Sequence, residues 1–184
     1  QLHFEITDGD LLSGTASLPL PGVGGIDANF NVLELTEVAT SDITGNLNVA
    51  MTDIAPLALF SQAVDSASGV LHATLDVTGT LPKPLFVGSV VLQNGAVNYH
   101  PTGLDVDHIE LLGELNKDRG VELSGTFRAG EGRGEIFSSA DYRDTADPGI
   151  RFKIRGEDLL LVDLPDIHLT AQPDIEIAYS KNLL

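Results

Sequence analysis

Five histidines, His3, His72, His100, His108 and His168, are the first residues whose chemistry could matter. None has a second histidine at metal-ligand spacing. His3, His72 and His168 fall on the polar side of alternating runs, a solvated position, and His100 precedes Pro101 in a predicted loop. Carboxylates gather at Asp105-Val106-Asp107 and between Asp163 and Asp166. Calcium binding needs a longer series of oxygen ligands than either stretch supplies, and acid–base work needs a partnered pair. The run "AGEGRGE" holds Gly130, Gly132 and Gly134. A phosphate loop of that kind passes its anion to a helix N-terminus, and no helical pattern follows here. No local motif sets up a Ser-His-Asp arrangement. The absence of cysteine removes thiolate catalysis, disulfides and cysteine-ligated zinc. The chain therefore reads as a non-enzyme with neither a catalytic residue, a metal nor a cofactor.

The frame that would hold any site is bounded by composition. A chain of 184 residues is long enough for a sizeable core. Its net charge of −17 sits beside 42% hydrophobic content, and disordered acidic chains lack that apolar share. The acidic balance argues against nucleic acid, whose phosphates demand clustered Lys and Arg, and against attraction to anionic membranes. No apolar run is long enough to cross a bilayer, and no signal peptide is visible. Starting at Gln1, the chain reads as a single unit, residues 1–184, excised from something longer.

Period-two alternation dominates. Leu2, Phe4 and Ile6 alternate with polar residues, as do Ile43 to Met51, Leu71 to Leu81, Val121 to Ala129 and Ile150 to Ile154. Such runs are strands with one apolar and one wet face. Turn signals about every 10 residues predict an antiparallel meander. The turns fall at Asp8-Gly9, Pro19 to Gly25, Pro82-Lys83-Pro84, Asn116 to Gly120 and Gly130 to Gly134, with Asn94-Gly95 a hairpin or a bulge. One stretch, "TDIAPLALFSQAVDS", breaks the pattern. Asp53 as N-cap and Pro56 in the first turn predict a short helix over about 54–64. It is too small to cover the greasy face of so many strands.

Glycines recur on the apolar parity, as in Gly45-Asn46-Leu47, Gly79-Thr80-Leu81, Gly88-Ser89-Val90 and Gly125-Thr126-Phe127. Strand-interior glycine weakens a sheet, so repeated use suggests bending and free volume on that face. Two architectures satisfy this pattern. One is a closed β-sandwich bulged at the glycines, and the other is an open curved sheet with a partly hollow apolar side.

The stretch "GTLPKPLFVGSVVLQNGAVNYHPTGLDVDHIELLGEL" resembles the AsmA-like envelope proteins of Gram-negative bacteria, most of all the C-terminal region, often called DUF490, of the TamB (translocation and assembly module) family. The matching positions are Gly79, Leu81, Pro84, Gly88, Val90, Leu92, Asn94 and Gly95, followed by Gly103, Leu104, Val106, Ile109 and Leu111. The resemblance runs best from about Asp53 to Tyr142. The motifs are degenerate one by one, and their order carries the likeness. The chain shows neither the membrane anchor nor the partner-docking end of that family.

The resemblance implies an all-β fold, a long, mostly antiparallel sheet curved into an open apolar trough (a β-taco). It implies a periplasmic location in a protein anchored to the inner membrane. Two roles come with it: carrying phospholipid acyl chains towards the outer membrane, or offering a chaperone-like strand edge to unfolded outer-membrane β-barrel or autotransporter proteins. For the full-length protein it implies an outer-membrane barrel partner, TamA. The groove lining expected on this basis is Leu71, Leu75, Val77, Phe86, Val90, Leu92, Leu123, Phe127, Ile136, Ile150, Phe152 and Ile154. Leu85, Val87 and Val91 are apolar on the opposite parity. Gly88, two residues before Val90, decides for the even-numbered set.

Overall fold

The computed structural model describes residues 2–7, 11–33, 40–141 and 149–180, with the side chains of 2–7 left aside. Among these residues thirteen strands run in chain order: β1 Leu2–Thr7, β2 Leu11–Leu20, β3 Gly24–Leu33, β4 Ile43–Met51, β5 Val64–Thr80, β6 Lys83–Tyr99, β7 Leu104–Asn116, β8 Gly120–Ala129, β9 Gly132–Ala140, β10 Ile150–Glu157, β11 Leu159–Leu164, β12 Ile167–Ala171 and β13 Asp174–Tyr179. Eleven of them form one sheet in the order β1 to β10 and then β13. All its pairings are antiparallel. β11 and β12 form a separate hairpin. The sheet is curved and does not close into a barrel. The curved-sheet reading holds, and the closed sandwich does not.

Turns fall where backbone chemistry permits them. Leu20 and Gly24 bracket a turn closed by the Val23 N–H on the Leu20 carbonyl at 3.0 Å. Leu81-Pro82 joins the two 17-residue strands, so Lys83 and Pro84 lie inside β6 rather than in the turn. Asn94-Gly95 is a bulge: β6 runs on to Tyr99, with Asn94 in the left-handed region at φ 50°. His108 makes a matching bulge in β7 at φ 49°. The Asp8-Gly9 turn lies outside the described residues.

The expected helix over 54–64 is a 3-10 turn, Ala55–Phe60. Asp53 Oδ1 accepts the Ala55 N–H at 3.0 Å, and Pro56 stands at its start, as its chemistry favours. The segment stays short because the next residues belong to the sheet. The His100 N–H donates to the Ala63 carbonyl at 3.0 Å, and Val64 pairs with Tyr99. Leu59 and Phe60 point to solvent, 88% and 86% exposed.

One end of the sheet is plugged. The 3-10 turn lies there, joining the end of β4 to the start of β5, and the β11–β12 hairpin leaves the sheet at the same end, after β10. Leu159 on β11 is 2% exposed and fills the space over Gly156. Met51, Ile54, Ala67 and Ala129 are buried at this end too. Most of the small core therefore lies here. Along the rest of the sheet, among the described residues, no second layer covers the strands.

Candidate functional site

Directly opposed residues in an antiparallel pair point to the same face. The register can therefore be followed across the sheet. One row runs Leu18, Ile26, Val49, Ala73, Val90, Gly113, Leu123, Ser138, Phe152, Ile177. The next runs Leu20, Gly24, Met51, Leu71, Leu92, Leu111, Gly125, Ile136, Ile154, Ile175. Each row crosses ten strands, roughly 45 Å at the usual strand spacing. A shorter row joins Phe30, Gly45, Val77 and Phe86. Leu75 stands opposite Gly88, Phe127 opposite Gly134 and Ile150 opposite Tyr179.

These rows share one parity and form one face. It carries Leu71, Leu75, Val77, Phe86, Val90, Leu92, Leu123, Phe127, Ile136, Ile150, Phe152 and Ile154 together. The bulges at Asn94 and His108 keep the pattern in phase: Val97 and Val106 stay beside each other on it. Val87 faces the other way, opposite Asp76, and is 39% exposed. The apolar side chains shelter one another. Most are half-buried, whereas the polar residues between them are mostly exposed.

The face is less hollow than its glycines suggested. A Cβ on Gly134 would stand 2.6 Å from Cε1 of Phe127, and one on Gly125 would meet the Leu111 side chain. Large neighbours lean into the space these two glycines leave. Gly88 has a further reason to lack a side chain. Its φ is +151°, and a Cβ would run into the Thr74 carbonyl on β5.

The opposite face is mostly polar, although Val87, Val91, Leu112 and Phe137 also stand on it. Asn46 donates to Asp76 at 2.9 Å, Lys153 pairs with Glu176 at 3.2 Å and Arg155 pairs with Asp174 at 3.2 Å. Three histidines each meet one exposed carboxylate: His100 with Asp65, His108 with Asp107 and His168 with Asp163. The three pairs stand apart: His100 lies in the short 3-10 turn after β6, His108 on β7 and His168 on β12 of the separate hairpin. His72 is exposed on the same polar face, and the side chain of His3 lies outside the description. No group of three or more potential metal ligands is present among the described residues. At the sheet's margins, among the described residues, β1 pairs only with β2, and β13 only with β10. On β13, Ile175, Ile177 and Tyr179 are 49%, 59% and 58% exposed.

No protein-family model, curated protein or solved structure matches the chain.

Sequence reasoning missed a cleft of about 940 Å³ on the polar face, lined by residues of β7 to β10 and by Gln172 to Asp174. Arg128 and Arg133 face each other there across the β8–β9 hairpin. The signal was present: they flank the two-residue turn Gly130-Glu131 symmetrically, which puts them in register.

Proposed function

We propose that the apolar face is the working surface of a lipid-carrying trough in an envelope protein of the TamB-like kind, with phospholipid acyl chains as cargo. The reading assigns no catalysis to the chain. One observation carries it: two apolar rows cross ten strands, and away from the plugged end no second layer covers them among the described residues. An uncovered apolar surface of that extent marks a binding site. Each methylene of an acyl chain laid on it gains about 0.8 kcal/mol, so a whole tail binds without any specific polar contact. The polar face, with its acidic excess, keeps the other side in water. The periplasmic setting and the barrel partner TamA belong to the same proposal and rest on the sequence resemblance.

A second reading takes support from β13. Its free edge bears exposed Ile175, Ile177 and Tyr179, and such an edge pairs with extended chains by strand addition. The cargo would then be an unfolded outer-membrane barrel or autotransporter segment.

Native mass spectrometry of the gently extracted chain separates the two. Co-purifying phospholipid, displaced by a detergent with the same tail length, supports the trough. A lipid-free chain that captures unfolded barrel peptides supports the edge and removes the lipid reading.

A further inference from the structure

We propose that the polar-face cleft between β7 and β10 binds a zwitterionic phosphate ester, an anionic phosphate and a cationic ammonium joined by a short linker. The proposal concerns the opposite side of the sheet from the apolar rows and does not rest on them.

Arg128 and Arg133 occupy directly opposed positions on β8 and β9. Like charges so placed destabilise a sheet. Neither has an ion-pair partner among the described residues, although the chain carries 27 acidic residues. The other described arginines are paired: Arg119 with Glu122, Arg151 with Glu176 and Arg155 with Asp174. Nε of Arg128 is buried and has no hydrogen-bond acceptor. A buried guanidinium donor normally finds an acceptor, so an anion is the missing component. Two guanidinium forks on one wall match the oxygens of a phosphate.

The carboxylates decide the rest of the ligand. Glu157 stands directly across from Arg133 in the strand register, and Glu135 stands beside it on β9's polar face. Neither forms an ion pair among the described residues. A bare dianion would meet repulsion from both. A ligand with an ammonium group a few bonds from its phosphate satisfies both signs. A volume of about 940 Å³ exceeds what an ion needs and admits such a molecule. Residues 1–82 contain no Lys or Arg, so this cleft lies in the half of the chain that holds all the basic residues.

The ligand group occurs free, as in phosphoethanolamine, and on lipids, as the ethanolamine headgroup. Titration of the whole chain with phosphoethanolamine, inorganic phosphate and dihexanoyl phosphatidylethanolamine, followed by amide chemical shifts, tests the site and its source. Saturable shifts at Arg128, Arg133 and Glu157 with an ethanolamine ester are expected, and inorganic phosphate should bind more weakly. Binding to both esters assigns the headgroup alone, and binding to the lipid only assigns a lipid source. Arg128→Gln or Arg133→Gln should weaken binding at least roughly tenfold, the scale of one lost charge-assisted contact. Arg133→Lys retains charge without the fork and should fall between. Circular dichroism establishes that each variant is folded. Val90→Asp, on the other face, should leave this binding unchanged even where it stops lipid-tail binding. No binding by either ester, phosphate binding as tightly as the esters, or folded Arg→Gln variants binding like the parent would each overturn the proposal.

Discussion

The ring of Phe127 on β8 lies against Gly134 on β9, its directly opposed partner, and occupies the space a side chain there would need. Glycine and aromatic act as one packing unit on the apolar face. Gly134→Ala should cost about 1–3 kcal/mol, because the ring must leave its place. Phe127→Ala should cost about 2 kcal/mol, short of a fully buried ring. In the Phe127→Ala background, Gly134→Ala should be close to neutral. Urea denaturation of the four proteins gives the coupling, and additive losses would show that the two positions are independent.

The uncovered face makes a prediction about charge. Val90 stands between Ala73 and Gly113 in one of the two ten-strand rows. Val90→Asp and Leu123→Arg should each cost no more than about 2 kcal/mol, since the charge can hydrate on an open face. In a closed core the same changes would exceed about 4 kcal/mol. Lipid co-purification should vanish in both variants, while Thr78→Arg, on the polar face, should retain it. Retention of lipid by the folded charged variants would remove the trough reading.

Asn94 and His108 hold left-handed backbone in adjacent strands. Asn94→Gly should raise stability by up to about 1 kcal/mol, because glycine adopts that region freely. Asn94→Val should lower it by at least about 1 kcal/mol. Paired thermal melts would decide, and equal melting temperatures would mean that the bulge relaxes away.

The free margin at β13 predicts self-association. Ile177 is the most exposed of its large apolar residues. Ile177→Lys should lower the concentration-dependent sedimentation of the chain, by placing a charge on the strand most open to pairing. Equal association of parent and variant would place the contact elsewhere.

Much of this architecture was legible because alternation reports faces directly. Leu71, Leu75 and Val77 needed only parity. Phe86 against Val87 needed one more fact, a glycine at position 88 sharing the face of Val90, and the register agrees. Where reasoning stayed local it fell short. Ile54 to Val64 has helical spacing, yet Val64 goes to the sheet because Tyr99, distant in sequence, offers it a partner. The glycines suggested hollow space, because the side chains that lean into it come from neighbouring strands. The Arg128–Arg133 pair required the register of one hairpin, and its buried Nε required coordinates.

From β1 to β10, every strand's sheet neighbours are its neighbours in sequence, and only the step to β13 skips a hairpin. Among the described residues the two margins make no closing pairing, so the molecule's stability is a running sum over adjacent interfaces, as in a linear array. Its strands can zip up in the order in which they are made, without long-range loop closure, which favours rapid assembly. They can also fray from either margin while the plugged middle strands hold. Length is then a free variable: a hairpin inserted or deleted in phase lengthens or shortens the apolar rows by two strands and leaves every other pairing as it was.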